Sequence, residues 1–217
     1  YLQRSKILAV GVFAGLMFTL NQGMWKQTLA TLVLVGAAAL ASMAIGLPLG
    51  IWSAHKPKVY RVIQPILDFM QTMPTFVYLI PIMALFGLGP APGLIVTIIF
   101  VIPTAVRMTH LGMTSIPTAI IEAGEAFGAT KRQLLWKVEL PSALPTIMAG
   151  LTQCIMLSLS MVVVAALIGA GGLGTEVVRA LNNGPRGIPL GVEAGLSIVV
   201  LAIILDRMTR ISTGGKK

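Results

Sequence analysis

Apolar residues in this chain run on without period-two alternation, in stretches broken by short polar intervals. Six such stretches stand out, at 7–20, 28–52, 62–86, 94–108, 143–168 and 191–205. Crossing a bilayer as a helix takes about 20 residues. The second stretch has the length to spare, whereas the first is short and needs its flanks to complete a crossing. A closed barrel would require strands that alternate apolar and polar positions, and these runs exclude it. The expected fold class is therefore an all-α membrane protein, a polytopic helical bundle forming one transmembrane domain over 1–217.

The longest polar interruption, 113–141, reads as two short helices. Ser115 can cap the first, Pro117 suits its opening turn, and Gly128 supplies a left-handed residue to end it. Thr130 and Gln133 have the spacing of a capping box for the second, which is expected to stop before Pro141. The segment carries Glu122, Glu125, Lys131, Arg132, Lys137 and Glu139, so it must lie outside the hydrocarbon.

Composition supports the membrane reading. Hydrophobic residues make up 56% and charged residues 11%, against about 25% charged in soluble chains. The formal net charge of +9 does not imply nucleic acid, because too little polar surface remains for a basic binding face. It serves orientation instead. With the hairpin in the cytoplasm and the stretches alternating, the inner face holds Arg4, Lys6, Lys56, Lys58, Arg61, Arg107, Lys131, Arg132, Lys137, Arg207, Arg210, Lys216 and Lys217. The outer face holds Lys26, Arg179 and Arg186. Trp25 and Trp52 fall at opposite ends of the second stretch, as interfacial anchors do. The single cysteine, Cys154, lies in an apolar run and permits no disulfide framework. The chain starts at Tyr1, and it is expected to lack its natural N-terminus.

The hairpin carries a family likeness. Glu122-Ala123-Gly124, three residues, Gly128, nine residues, then Val138-Glu139-Leu140-Pro141 resembles the cytoplasmic signature of permease subunits of bacterial ABC importers. That signature has Ala where Gly124 stands and Ile where Val138 stands. The segments 71–89 (QTMPTFVYLIPIMALFGLG) and 159–174 (LSMVVVAALIGAGGLG) resemble the glycine betaine/proline betaine branch, and the likeness covers roughly 23–210. It implies a type I ABC importer permease fold in the bacterial inner membrane, passing it several times among lipid. It implies three partners: an ATP-binding subunit, a second permease copy and an extracytoplasmic substrate-binding protein. The chain itself would need no cofactor, since ATP and Mg bind the ATP-binding subunit. On this likeness Glu122, Ala123, Gly124, Gly128, Ala129, Lys131 and Arg132 make the coupling surface. The alternative within the family is a related importer permease for choline, methionine or another amino acid. An ATP-independent carrier or channel is the rival of another class, and it would not need this loop.

Other candidates come from the residues alone. Asp68 lies inside the third stretch, and Gln71 and Thr75 extend a polar stripe from it along one helical face. The stripe reads as a translocation path or as an ion pair of Asp68 with Arg61. Gly169 to Gly174 match G-x-G-x-x-G, but they follow a membrane stretch rather than a strand, which dismisses dinucleotide binding. Gly171, Gly172 and Gly174 are expected instead in a flexible outer turn where a binding protein docks. Phe69, Phe76 and Tyr78 could form an aromatic cage for a quaternary ammonium, or simply pack. His55 and His110 are isolated in sequence and read as interfacial. No His-Glu-x-x-His and no Gly-Lys-Ser/Thr loop occurs, so neither a metalloprotease nor an ATPase is expected of this chain. Gly11-Gly15, Gly46-Gly50 and Gly191-Gly195 have the spacing of close helix crossings, within the chain or between copies.

Overall fold

The computed structural model describes residues 6–213, and among these every regular element is helical. Arg4, Lys216 and Lys217 of the basic inner face lie outside the described residues. In chain order the helices are α1 Lys6–Asn21, α2 Trp25–His55, α3 Pro57–Thr72, α4 Thr75–Phe86, α5 Pro90–Thr114, α6 Thr118–Ala126 and α7 Lys131–Leu134. A π turn, Leu135–Glu139, leads into α8 Leu140–Ala166. Then come α9 Leu173–Asn182, a 3-10 turn Gly184–Gly187 and α10 Ile188–Thr213.

Four of these are long and apolar enough to cross a membrane: α2, α5, α8 with the turns before it, and α10. The third apolar stretch is not one continuous span as its composition suggests. It divides into α3 and α4, which meet at 95°. Pro74 is the cause. Its ring disfavours the helical region for the residue before it, and Met73 takes φ −68°, ψ 132°. Of α1, the residues from Val10 to Asn21 are apolar but shorter than a full crossing.

The core lies where α2, α5 and α8 meet, with Val35, Ala39, Val101, Ala105, Cys154 and Val162 among its buried residues, and α10 adds Leu201 and Leu205. Two glycines let α2 and α5 approach so closely. A Cβ on Gly46 would stand 2.9 Å from the Ala105 carbonyl carbon, and one on Gly50 2.9 Å from the Val106 carbonyl oxygen. The Gly46-Gly50 pair is thus consumed within the chain. Gly15 is pressed likewise against Val200 of α10, while Gly11 and Gly195 face open space. Away from the core, Val33, Leu40, Ile80 and Leu85 are each about two-thirds or more exposed. In hydrocarbon such a surface carries no penalty.

Helix α9, with the turn before it, replaces the flexible outer turn expected between the last two spans. Gly169, Gly171 and Gly172 take φ of +83°, +80° and +78°, which bends the chain back tightly after α8. The turn is tied to two neighbours. Leu173 donates its backbone N–H to Thr31 Oγ1 at 2.8 Å, and Gly89 donates to the Ile168 carbonyl at 2.8 Å. Gly172 and Gly174 are buried, and a Cβ on Gly174 would fall onto the Val162 carbonyl. Those two glycines therefore offer nothing to a docking partner. Gly171 alone of the three is half-buried with open space beside it.

Candidate functional site: the polar hairpin

The hairpin follows α5. Ser115 does not cap its first helix, for its hydroxyl turns back to the Gly112 carbonyl at 3.1 Å and so serves the end of α5. Pro117 holds the N-cap position of α6 instead. The end of α6 is closed as the sequence suggests. Gly128 has φ +74°, its N–H donates to Glu125 O at 2.8 Å, and Ala129 N–H donates to Gly124 O at 3.2 Å. This pair of bonds, from the left-handed residue and the one after it, is a Schellman closure. Thr130 and Gln133 form the reciprocal capping box: the Gln133 N–H donates to Thr130 Oγ1 at 3.3 Å, and the Thr130 N–H to Gln133 Oε1 at 2.8 Å.

The second arm does not stop before Pro141. Proline in a helix lacks its N–H and clashes with the carbonyl four residues back, here Lys137. The chain absorbs this by widening one turn, so that Leu140 N–H bonds to Leu135 O, five residues back. From Lys131 to Ala166 the backbone thus remains one 36-residue helical rod. Where the arms cross, Gly124 meets the second arm, and a Cβ there would stand 2.7 Å from Leu134 Cδ1. Glycine in place of the signature's alanine brings the arms closer.

Glu122, Ala123, Gly128, Lys131 and Arg132 are exposed, Gly124 and Ala129 half-buried. Phe127 joins them, unanticipated from sequence, with 92% of its surface exposed at the tip. Its signal was available: an aromatic placed between a helix end and its closing glycine has no core to enter.

The root of the hairpin is anchored by His55, which is not isolated. Its Nε2 lies 2.9 Å from Oε2 of the buried Glu139, and its Nδ1 2.9 Å from the Ile51 carbonyl. His110 is engaged too, its Nδ1 3.0 Å from Ser53 Oγ and its ring stacked on Tyr60 at 3.7 Å.

The polar stripe is rearranged. Asp68 pairs with Arg107 of α5, not with Arg61. One turn on, Gln71 Nε2 donates to Thr104 Oγ1 of α5 at 3.3 Å. Thr75 lies beyond the 95° break, in α4, and leaves the stripe. No aromatic cage forms from Phe69, Phe76 and Tyr78: the first two are 65% and 57% exposed, while Tyr78 is buried with its hydroxyl donating to the Met70 carbonyl. Among the described residues no group of His, Cys, Asp and Glu could hold a metal ion.

Comparison with known proteins agrees with this architecture. Residues 46–214 match the family model described as binding-protein-dependent transport system inner membrane component. The glycine betaine/proline betaine transport system permease protein ProW of Escherichia coli (strain K12) is 53% identical over 188 residues, covering 87% of this chain and 52% of that protein. The chain therefore spans about half the length of that relative. The glycine betaine/carnitine transport permease protein GbuB of Listeria monocytogenes (strain 10403S) is 50% identical over 196 residues, which are 90% of this chain and 69% of that one. Among solved structures, an inward-facing MetNI methionine ABC transporter superposes with a TM-score of 0.76 at 24% identity, over 87% of this chain and 95% of its own. At that identity the likeness speaks for the fold alone, that of a type I importer permease. A match over most of the chain, to a helical bundle of this topology, makes it a member of the binding-protein-dependent transport system inner membrane component family.

Proposed function

We propose that the chain is the permease of an ATP-driven importer of glycine betaine and proline betaine-type compatible solutes. The observation that carries the mechanism is the doubly closed hairpin running without a break into α8. A force applied at Glu122 to Arg132 cannot dissipate in a flexible joint, so it reaches the core where α2, α5 and α8 meet. An ATP-binding subunit seats on this surface, receiving Phe127 and the exposed charges, and holds the ATP and Mg that this chain does not bind. Two such subunits closing on ATP rock two permease copies between inward- and outward-open states. The second copy stands against the face of α3, where Asp68, Gln71 and Phe69 are exposed. An extracytoplasmic binding protein delivers cargo at the opposite end, beside Gly171 and α9. The cargo class is supported by the names of the relatives at 50% identity or more.

Gly128→Asp tests this reading. A Cβ at Gly128 meets no atom of this chain within 4 Å, so the variant folds and inserts, apart from about 1 kcal/mol of left-handed backbone strain. Anything it obstructs is a partner. Reconstituted with its partners, it should lose betaine uptake and retain less ATP-binding subunit on purification. Normal uptake with a normal complex would overturn the coupling role.

A further inference from the structure

Helices α1 and α10 touch at one level and diverge below it. At Gly15 a Cβ would stand 2.7 Å from both Val200 methyls, whereas one turn earlier a Cβ on Gly11 would meet nothing within 4 Å. The wedge between them is a groove of about 340 Å³, lined by Gly11, Val12, Val200, Ile203 and Arg207. Val200, Ile203 and Arg207 recur at three and four residues and so form one stripe down α10. Two turns, about 10 Å of helix, separate the first from the last. The groove therefore runs from an apolar apex to a single cation. Of the four spanning helices, α10 is the least covered by the rest of the chain.

That cation lacks a counter-charge. Arg207 is half-buried and, among the described residues, makes no hydrogen bond or ion pair. Asp206 precedes it, but successive residues point about 100° apart around a helix, and Asp206 does not line the groove. With the hairpin in the cytoplasm, α10 ends on the cytoplasmic face, and Arg207 lies about 9 Å before its last residue, Thr213. An arginine at that depth is costly beside hydrocarbon unless its head reaches the interface or meets an anion. A guanidinium extended to headgroup level matches a phosphate through two parallel N–H bonds.

The shape selects the rest of the occupant. A helix is at least 10 Å across with its side chains, so a 10 Å length of one fills roughly 800 Å³, more than twice the groove. A helix from a second copy is too thick to enter a wedge that closes at Gly15. A single acyl chain is thin enough, and it has the apolar walls it needs. Charge selects the headgroup. Residues 1–11 and 203–217 carry Arg4, Lys6, Arg207, Arg210, Lys216 and Lys217 against one acid, Asp206. A basic cluster at the cytoplasmic ends of membrane helices draws anionic lipid rather than zwitterionic lipid, whose amine already neutralises its phosphate.

We propose that the α1–α10 groove binds one anionic phospholipid of the cytoplasmic leaflet. Its phosphate meets Arg207, and one acyl chain lies along Ile203 and Val12 up to the apex at Val200. The lipid fills the space that the close contact at Gly15 leaves open below it, and so supports α1 against α10. The site depends on the orientation of the chain in the membrane, not on the coupling role of the hairpin or on the cargo.

The test uses the full chain in complex with its partners, purified in detergent and equilibrated with equal amounts of phosphatidylglycerol and phosphatidylcholine bearing the same acyl chains. Native mass spectrometry counts the lipid retained. The wild type should retain phosphatidylglycerol in preference. In Arg207→Gln that preference should fall about fivefold, the worth of one basic residue at an anionic surface. Lys58→Gln removes a charge that is exposed near the cytoplasmic end of α3, away from the groove, and should behave as wild type. Equal losses in the two variants would mean a diffuse basic surface and would overturn the site.

Phosphatidylglycerol with a photoreactive diazirine in one acyl chain then locates the tail. Adducts should map to Val12, Val200 and Ile203 in the wild type. They should disappear in Gly11→Leu, which fills the groove where the chain itself has open space and therefore folds. Undiminished adducts in Gly11→Leu, or a wild type labelled only elsewhere because another part of the assembly occupies the groove, would overturn the proposal. If Gly11→Leu does not assemble, Arg207→Gln measured against Lys58→Gln decides by itself.

Discussion

Asp68 of α3 accepts a charged hydrogen bond from the guanidinium of Arg107 on α5, 39 residues later, and one turn on Gln71 repeats the link to Thr104. Both partners of the ion pair are partly exposed, Arg107 by 35% and Asp68 by 51% of the side chain. Yet Arg107 Nε is buried without a partner, so the guanidinium depends on Asp68 for what neutralisation it has.

Asp68→Asn should therefore strand Arg107. The expected result is a lower protein level with near-normal transport per molecule, and recovery of the level when Arg107→Gln is added. An exposed pair is worth about 1 kcal/mol or less in water, and partial burial raises the cost of losing one member. If Asp68→Asn accumulates normally but does not transport, the pair belongs to the translocation path rather than to the fold.

Gly46→Ala should destabilise the bundle by about 1–3 kcal/mol, because the new methyl meets the backbone of α5 at Ala105, which cannot rotate away as a side chain could. Gly36, on the same helix, has open space where a Cβ would go. Gly36→Ala should be neutral or stabilising by about 0.5–1 kcal/mol. Thermal unfolding in detergent measures both, and equal effects would argue against the α2–α5 seam.

Phe127→Ala removes a side chain that touches almost nothing in this chain. Stability should be unchanged. The ATP-binding subunit should dissociate about tenfold or more faster, if the ring fills a pocket as buried aromatic anchors do. Unchanged retention of that subunit on a column would remove Phe127 from the docking surface.

Single cysteines at Lys58 and Ser142 should react with an impermeant maleimide only from the cytoplasmic side, and one at Asn183 only from outside. Cys154 is buried and keeps the background low. Labelling of Lys58→Cys and Asn183→Cys from the same side would contradict the orientation inferred from the basic residues.

Legible in the amino-acid order were the features that depend on neighbours along the chain. Long apolar runs select helices in a bilayer, because only a helix satisfies its own backbone there. The Thr130–Gln133 box and the left-handed closure at Gly128 are also local, each completed within a few residues, and both are in the structure. Local chemistry misled at Ser115 and Pro141. Each residue has two compatible uses, and the choice between them was made by the long helix attached to it. Ser115 ends α5 rather than starting α6, and Pro141 is carried by a π turn because α8 is held in the core on its far side. Partners across the bundle were not legible at all. Arg107 for Asp68, Glu139 for His55 and Thr31 for the glycine turn are separated by 39, 84 and 142 residues. Periodicity places a residue on a helix face, but which helix that face meets is settled by close packing. Here the glycines of α2 draw α5 against it, and the break at Pro74 turns α4 away from the line of α3.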